Sequence, residues 1–476
     1  MLEWDQAAIM PSGGGESRAE ALGTLQELRH ELATAPELAD WIEGSEAEAL
    51  GDWERANVRE LKRAWERNTR LPSRLVGARA RARSRGHGVW IAARPKNDWA
   101  SFLPALREIV DLEREAAQIL SDHFGCSPYD ALLDAYEPGV GSAEIDPLFD
   151  ALREFLPGFI PVAVERARER QAIVPRGPFP VEAQRTLGLE LMKAIGFDFE
   201  HGRLDVSAHP FCGGVPSDVR ITTRYDESDF SSALMGVLHE TGHAKYEQGL
   251  PRAWLEQPVG AARSMSFHES QSLLQEMQIS RSSAFLQFAV DAIHRAFPEA
   301  VAAQSEAFTL ENLAKLYTHV EATKIRVDAD EVTYPCHVML RYDIERELIA
   351  GTIRVDEIPD VWDTAMHALL GLDTRGDFRD GCMQDIHWAA GAIGYFPTYT
   401  LGAMRAAQIF AAAREALPDV DTRMAGGDFE ALNDWLRERV WGCGSLLEGE
   451  ELMRHATGRA LDAKPFIEHL ERRYGA

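Results

Sequence analysis

A mostly α-helical chain with one small β element is what the sequence predicts, and three patterns carry that reading. Extended Glu-, Ala-, Leu- and Arg-rich tracts, such as Leu106 to Leu120, place apolar residues at helical spacing. Asp218 to Tyr225 is the clearest strand candidate, because Val219, Ile221 and Thr223 alternate with Arg220, Thr222 and Arg224. A few residues later begins a stretch with helical periodicity that holds His239-Glu240-Thr241-Gly242-His243, so the β element is expected beside that helix.

At 476 residues the chain has length for two or more domains, yet no long low-complexity linker divides it, and one unit spanning 1–476 is expected. Pro11-Ser12-Gly13-Gly14-Gly15 reads as a surface loop. Arg63, Arg67, Arg70, Arg74, Arg79, Arg81, Arg83 and Arg85 form a basic run with few aromatics, which reads as a solvated helical face paired with acidic neighbours. A formal charge of −26 argues for solubility and against nucleic-acid binding. The lack of a P-loop or G-x-G-x-x-G pattern removes the usual nucleotide readings.

Cys126, Cys212, Cys336, Cys382 and Cys443 are odd in number and widely spaced, which suits a reducing cytoplasm. Cys212 and Cys382 are read as small buried fillers. With no basic and apolar leader and no 18-residue apolar run, neither secretion nor a membrane span is expected.

The His239–His243 segment carries the chemistry. Residues i and i+4 share one face of a helix, so both imidazoles can reach one metal ion, with Glu240 beside the open coordination position. This is the H-E-x-x-H arrangement of zinc hydrolases, in which the Glu serves as general base. Asp226, Ser228 and Asp229 offer N-caps, Phe230, Leu234, Val237 and Leu238 supply the apolar periodicity, and Gly249 with Pro251 stops the helix. Gly236 and Gly242 each cost a helix interior about 1 kcal/mol relative to Ala. Close packing against a neighbouring helix would explain both. For Gly242, inside the motif, a second reading is that another backbone approaches the metal there.

A third ligand is needed. The metzincin continuation fails, since Tyr246 and Gly249 occupy its Gly and His slots. Glu247 shares the face but lies roughly 12 Å along the helix from His239, too far to join both imidazoles. Beyond the breaks at Pro251, Pro258 and Gly260, a second helix opens near Arg263, with Leu273, Leu274, Met277 and Ile279 as its apolar positions. It offers Glu269 and, two turns on, Glu276. Two His and one Glu leave a coordination position open, as catalytic rather than structural zinc sites do.

Five further motifs stand in order along the chain: His209-Pro210-Phe211; Asp218-Val219-Arg220-Ile221-Thr222; His268-Glu269-Ser270-Gln271; Ile325-Arg326-Val327-Asp328-Ala329-Asp330; and Gly381-Cys382-Met383-Gln384-Asp385-Ile386-His387-Trp388. Together with Gly394-Tyr395-Phe396-Pro397-Thr398-Tyr399, they make the chain resemble the carboxypeptidase Taq family of metallocarboxypeptidases over nearly its whole length. The resemblance implies the mostly helical, two-lobed architecture shared with neurolysin and angiotensin-converting enzyme, with a deep groove between the lobes. It implies one zinc ion per chain, with cobalt an alternative, and selects Glu269 over Glu276 as third ligand. It also implies a homodimer that releases C-terminal residues from peptides with broad specificity, and poorly where proline blocks the bond. An endo-acting oligopeptidase of the same clan and a non-catalytic peptide-binding relative are the competing readings. The intact Glu240 counts against the latter.

On this reading Glu240 takes the proton of the attacking water. His387, Tyr395 and Tyr399 are the candidate donors to the oxyanion, with His387 and Tyr399 favoured and core packing the competing role for the tyrosines. A free C-terminal carboxylate calls for an arginine fork, with Arg326 first and Arg220 second. An ion pair with Asp328 or Asp330 is the competing role for Arg326. His209 and His268 would support the site from behind.

Two departures from the family pattern stand out. Members usually carry a further helix ahead of the segment resembling Met1 to Gln6, so Trp4 is expected to lack its packing partner and the chain to lose stability. Trp441 stands where the pattern has a His.

Overall fold

The protein, described here from a computed structural model covering residues 1–476 apart from Glu46, His209 and Ala476, is mostly helical. The expected tract lies within helix Trp99–Phe124. Asp98 caps its start by accepting from the Ser101 amide, and Gly125 ends it in the left-handed conformation. Between those stops Phe102, Leu106, Ile109, Val110, Ala116, Ala117 and Leu120 are buried, the stripe expected of a core-facing helix.

Two large apolar clusters form, one per lobe. The first joins Trp99–Phe124 to helices Ser142–Arg170, Tyr334–Ala350 and Ile358–Leu370. The second joins helices Val181–Ala194, Phe230–Gly249, Ser283–Ala296 and Glu430–Arg439. Helix Pro397–Ala416 belongs to both: Leu401, Met404 and Ala407 face the first cluster, while Ala406, Ile409 and Phe410 face the second. It is the apolar tie between the lobes.

The β element has three strands where one was expected. Strands β1 (Gly202–Val206), β2 (Phe211–Val215) and β3 (Asp218–Thr223) lie in the order β1-β3-β2. β3 pairs parallel with β1 and antiparallel with β2. Val219 and Ile221 are fully buried and pack with Leu204, Val237 and Ala244. The sheet thereby lies against the motif helix Phe230–Gly249, as the sequence places it.

That helix begins where Asp229 accepts from the Ser231 and Ser232 amides and ends before Pro251. The return helix Met265–Leu273 starts at Ser264, whose hydroxyl accepts from the Phe267 amide. Buried Glu137 accepts from the Ser264 and Ser266 hydroxyls and pairs with Arg405 at 2.7 Å, so the start of the return helix is pinned to helix Pro397–Ala416. At Leu274 the return helix widens into π-helix through Ser280.

Gly242 decides how near the return helix comes. A Cβ there would lie 2.4 Å from the Gln271 carbonyl oxygen and 2.6 Å from Ser272 Cα. Close helix packing and backbone approach to the metal motif are thus the same contact. Gly402 plays the matching part on the other side, where a Cβ would sit 2.9 Å from Glu269 Cβ. Gly236 has no such neighbour within 4 Å, so the packing explanation fails for it.

Several expectations resolve locally. Ser12–Gly14 forms a 3-10 turn leading directly into helix Gly15–Ala33 rather than an open loop. Much of the arginine run is paired: Arg79 and Arg83 converge on buried Glu113, Arg74 meets Glu115, and Arg85 meets Glu108. Trp4 is 3% exposed, beneath the guanidinium of Arg220 at 4.2 Å and that of Arg203 at 5.3 Å from its ring. The sheet therefore supplies the cover that a preceding helix was expected to give. All five cysteines are free; Cys382 is buried, and Cys212 is only partly so.

Gly242→Ala should be destabilising by about 1–3 kcal/mol, the usual penalty of overpacking, although alanine is the better helix former. Denaturant melts should show that loss, and elemental analysis should show reduced metal content because Glu269 is pushed outward.

Candidate metal centre

The motif helix sets His239 and His243 one above the other, with ring centroids 5.1 Å apart. The Glu269 Oε2 atom lies 4.0 Å from His239 Nε2 and 3.3 Å from His243 Nε2. All three donors fall within 4.8 Å of one another. Ligands at about 2.0–2.2 Å around a tetrahedral ion are roughly 3.3–3.6 Å apart, so the triangle fits a divalent ion after a small contraction.

Each imidazole is held from behind by its other nitrogen. Glu276 Oε2 is 2.9 Å from His239 Nδ1, and its other oxygen accepts from Arg281 at 2.6 Å. Glu276, the rival ligand by sequence, therefore occupies the nitrogen that faces away from Glu269. Glu276 sits on the π-helical stretch Leu274–Ser280, where seven residues beyond Glu269 no longer make two α-helical turns. His243 Nδ1 meets His268 Nδ1 at 2.6 Å, and His268 Nε2 meets Glu247 at 2.8 Å. Glu247 thus reaches the site through His268. Such partners orient a ligating ring and fix its tautomer.

The electrostatics divide the cluster by role. Burial opposes charge on His239, but the Glu276 hydrogen bond and the Glu269 carboxylate outweigh it and raise its pKa to about 10. Burial takes His243 down to about 4, which Glu269 only partly offsets. For Glu269 burial is overcome by the His243 hydrogen bond and the His239 charge, which lower it to about 2. Burial raises Glu240 to about 7 against the opposing His239 charge, with Glu269 adding to the rise. Glu240 is 8% exposed and its buried Oε2 has no hydrogen-bond partner among the described residues, so a basic oxygen stands beside the donor triangle.

A cavity of about 790 Å³ opens there, lined among others by His239, Glu240, Glu269, Arg326, Tyr334 and Tyr399. Arg326 is 5% exposed and makes an ion pair, but with Asp385 rather than Asp328 or Asp330. Its Nε and Nη2 donate to Asp385 Oδ1 at 3.1 and 2.8 Å, and Nη1 donates to Tyr334 OH at 2.5 Å. Asp385 also accepts from fully buried Arg341, and these guanidinium groups hold its carboxyl far below the ordinary range, against burial.

His387 Nε2 lies 3.1 Å from Tyr399 OH, and burial keeps the ring neutral with a pKa of about 4. Tyr399 faces the cavity, while His387 and Tyr395 pack behind it, their rings 5.4 Å apart. Arg220 pairs with Asp218 and covers Trp4 on the sheet, away from the cavity-lining set. Its own neighbour satisfies its fork. His209 lies outside the described residues. Trp441 donates to the Gln271 side chain at 2.9 Å and so braces the return helix.

Sequence reading missed Tyr334 and the role of Asp385, although Asp385 lay within a motif already singled out. It also missed Glu331, 4% exposed, which gathers His469 and Tyr474 at 2.9 Å and Arg473 at 3.3 Å. Arg473 in turn donates to the Met277 and Gln278 carbonyls, so helix Lys464–Tyr474 clamps the π-helical turn that carries Glu276. No periodicity could have signalled this.

Donors for one ion, an acid–base group beside them and room for a chain define a metal-dependent peptidase on a helical scaffold. Residues 1–474 match the family described as carboxypeptidase Taq (M32) metallopeptidase, and the chain belongs to that family. It is a metallocarboxypeptidase. Thermostable carboxypeptidase 1 of Thermus thermophilus is 40% identical, aligned over 100% of this chain and 94% of that protein. Thermostable carboxypeptidase 1 of Pyrococcus furiosus is 34% identical over 100% of this chain and 94% of that protein. The solved structure of Trypanosoma cruzi metallocarboxypeptidase 1 superposes with a TM-score of 0.97 at 43% identity, covering 100% of this chain and 95% of that one. Among the described residues, no helix is long and apolar enough to cross a membrane.

Glu269→Ala should lose the metal, whereas Glu276→Ala should keep it with roughly 10–100-fold weaker affinity in chelator competition. The reverse pattern would exchange their roles. In chelated protein the His239 pKa is raised, so the His239–Glu276 pair contributes fully below the ordinary 6.5 and its contribution is lost as pH rises towards about 10. The difference in Tm between chelated wild type and chelated Glu276→Gln should shrink across that interval.

Proposed function

We propose that this metallocarboxypeptidase uses zinc, with cobalt an alternative, to release single residues of broad type from free peptide C-termini. The observation that carries the reading is the free, buried Glu240 oxygen beside the His239, His243 and Glu269 donors at the cavity wall. An ion held by those three residues supplies a Lewis acid and eases ionisation of water at neutral pH.

Glu240 accepts the proton from the attacking water at Oε2 and later returns it to the departing amine as the C–N bond breaks. Tyr399, kept in place by neutral His387, donates its hydroxyl to the developing oxyanion. Tyr395 supports the pair through ring contacts. Arg326 has five N–H groups and commits three to Asp385 and Tyr334, which leaves two for the substrate carboxylate. Asp385 fixes the plane of that fork. The five free thiols support a reducing, cytoplasmic setting. Helix Gly15–Ala33 buries none of its residues and exposes Leu25, Leu28 and Leu32, which supports a homodimer.

Mass spectrometry of one peptide and its C-terminally amidated twin tests the reading. The free peptide should shorten stepwise from its C-terminus, and amidation should abolish most cleavage. Efficient internal cutting of the amidated peptide would establish the endo-acting oligopeptidase instead. Glu240→Gln should bind metal normally and lose turnover by roughly 10³-fold or more. Arg326→Lys should lower kcat/KM steeply, since an ammonium cannot reproduce the two-point fork.

A further inference from the structure

The face of the motif helix that bears the metal donors continues along the cavity. Ser232, Met235, Gly236, His239 and Glu240 all line it, at the spacing of one helical face. Gly236 stands one turn before His239 and Glu240. Glycine weakens a helix interior relative to alanine, so a glycine here calls for a reason. Packing gives none: among the described residues, a Cβ at 236 meets nothing within 4 Å, in contrast to 2.4 Å at Gly242. Its φ is not in the left-handed range either, since it is absent from the positive-φ glycines. What the missing side chain leaves is cavity space beside a metal donor.

The same cavity, though lined by many polar groups, also carries apolar wall residues. Met235 comes from the same helix, Leu273 and Met277 from the return helix and its π-helical turn, and Leu316 from helix Leu310–Tyr317. Met235 and Leu273 are 5% and 9% exposed and belong to the second core cluster, so this wall is firm. The charged neighbours Glu276 and Arg281 are bonded to each other at 2.6 Å and so are already compensated. Methionine is unbranched and polarisable, so two of them can shape themselves to differing apolar guests.

We propose that Gly236, with Met235, Leu273, Met277 and Leu316, forms a specificity subsite for a bulky apolar side chain flanking the scissile bond, and that Gly236 sets its depth. The inference rests on the proposed reading of the cavity as the peptide site. Gly236 is a specificity-determining residue because an added Cβ would enter the guest's volume without meeting any described neighbour within 4 Å.

The test is kinetic, on the zinc-loaded enzyme, with Gly236→Ala and Gly236→Leu. Two series of free peptides place Ala, Leu or Phe at the terminal position or at the penultimate one. In one of the two series, the ratio of kcat/KM for Phe to that for Ala should fall at least tenfold in Gly236→Leu and by less in Gly236→Ala, in line with what one or a few methylenes do in an apolar pocket. Metal content should match wild type, and the Tm of Gly236→Ala should be equal or higher. A Phe-to-Ala ratio within twofold of wild type in both series would overturn the subsite. A lower Tm or lost metal in Gly236→Ala would overturn the claim of open space. Failure of the underlying reading shows separately: wild type would then release no terminal residue from any peptide, before variants are compared.

Discussion

The site depends on one backbone contact. Gly242 lets the carbonyl of Gln271 and the Cα of Ser272 come within touching distance of the motif helix. Any side chain at that position would hold the helices apart. Because Glu269 lies most of a turn before Ser272, the same approach brings its carboxylate to 3.3 Å from His243. Gly402 closes the gap from the far side, where it admits the stem of Glu269. A three-helix contact of this closeness is needed because a carboxylate side chain is short and the donor triangle tolerates only a few tenths of an ångström.

Around that contact the structure compensates buried charge in short chains. His239, Glu276 and Arg281 form one; His243, His268 and Glu247 form another. Arg326, Asp385 and Arg341 form a third beneath the cavity floor. An unpaired charge at such depth would be costly, so each chain ends in a partner or near solvent. Glu240 stands outside these chains. Its Oε2 has no hydrogen-bond partner among the described residues, which suits a group proposed to receive a proton.

Much of this was legible in the sequence, and the reasons differ by element. The motif helix was legible because its cap at Asp229, its periodicity and its stop at Pro251 are all local signals. Strand β3 was legible from alternation, whereas β1 and β2 are five-residue strands, and β2 ends in Gly213-Gly214-Val215 with little pattern to read. Arg326 drew attention through its motif, but its partner is 59 residues away, and sequence spacing favoured nearer aspartates. Glu276 looked like a second candidate ligand because α-helical geometry was assumed through Leu274–Ser280. A change of hydrogen-bond register within a helix leaves no mark in hydrophobic periodicity. Trp4 was expected to stand uncovered because a preceding helix was taken as its packing partner, whereas the arginines that cover it, Arg203 and Arg220, come from strands far along the chain.

The clamp by helix Lys464–Tyr474 gives the centre an order in time. Arg473 reaches back 196 residues to the Met277 carbonyl, and Glu331 binds the same helix through His469 and Tyr474. On the ribosome His239, His243 and Glu269 emerge long before Arg473 is made. Domains fold as units during synthesis, but this brace has no local substitute. A nascent chain therefore carries the candidate donors before the helix that braces the turn behind His239 exists. The centre is fully braced only once helix Lys464–Tyr474 has been made and has docked.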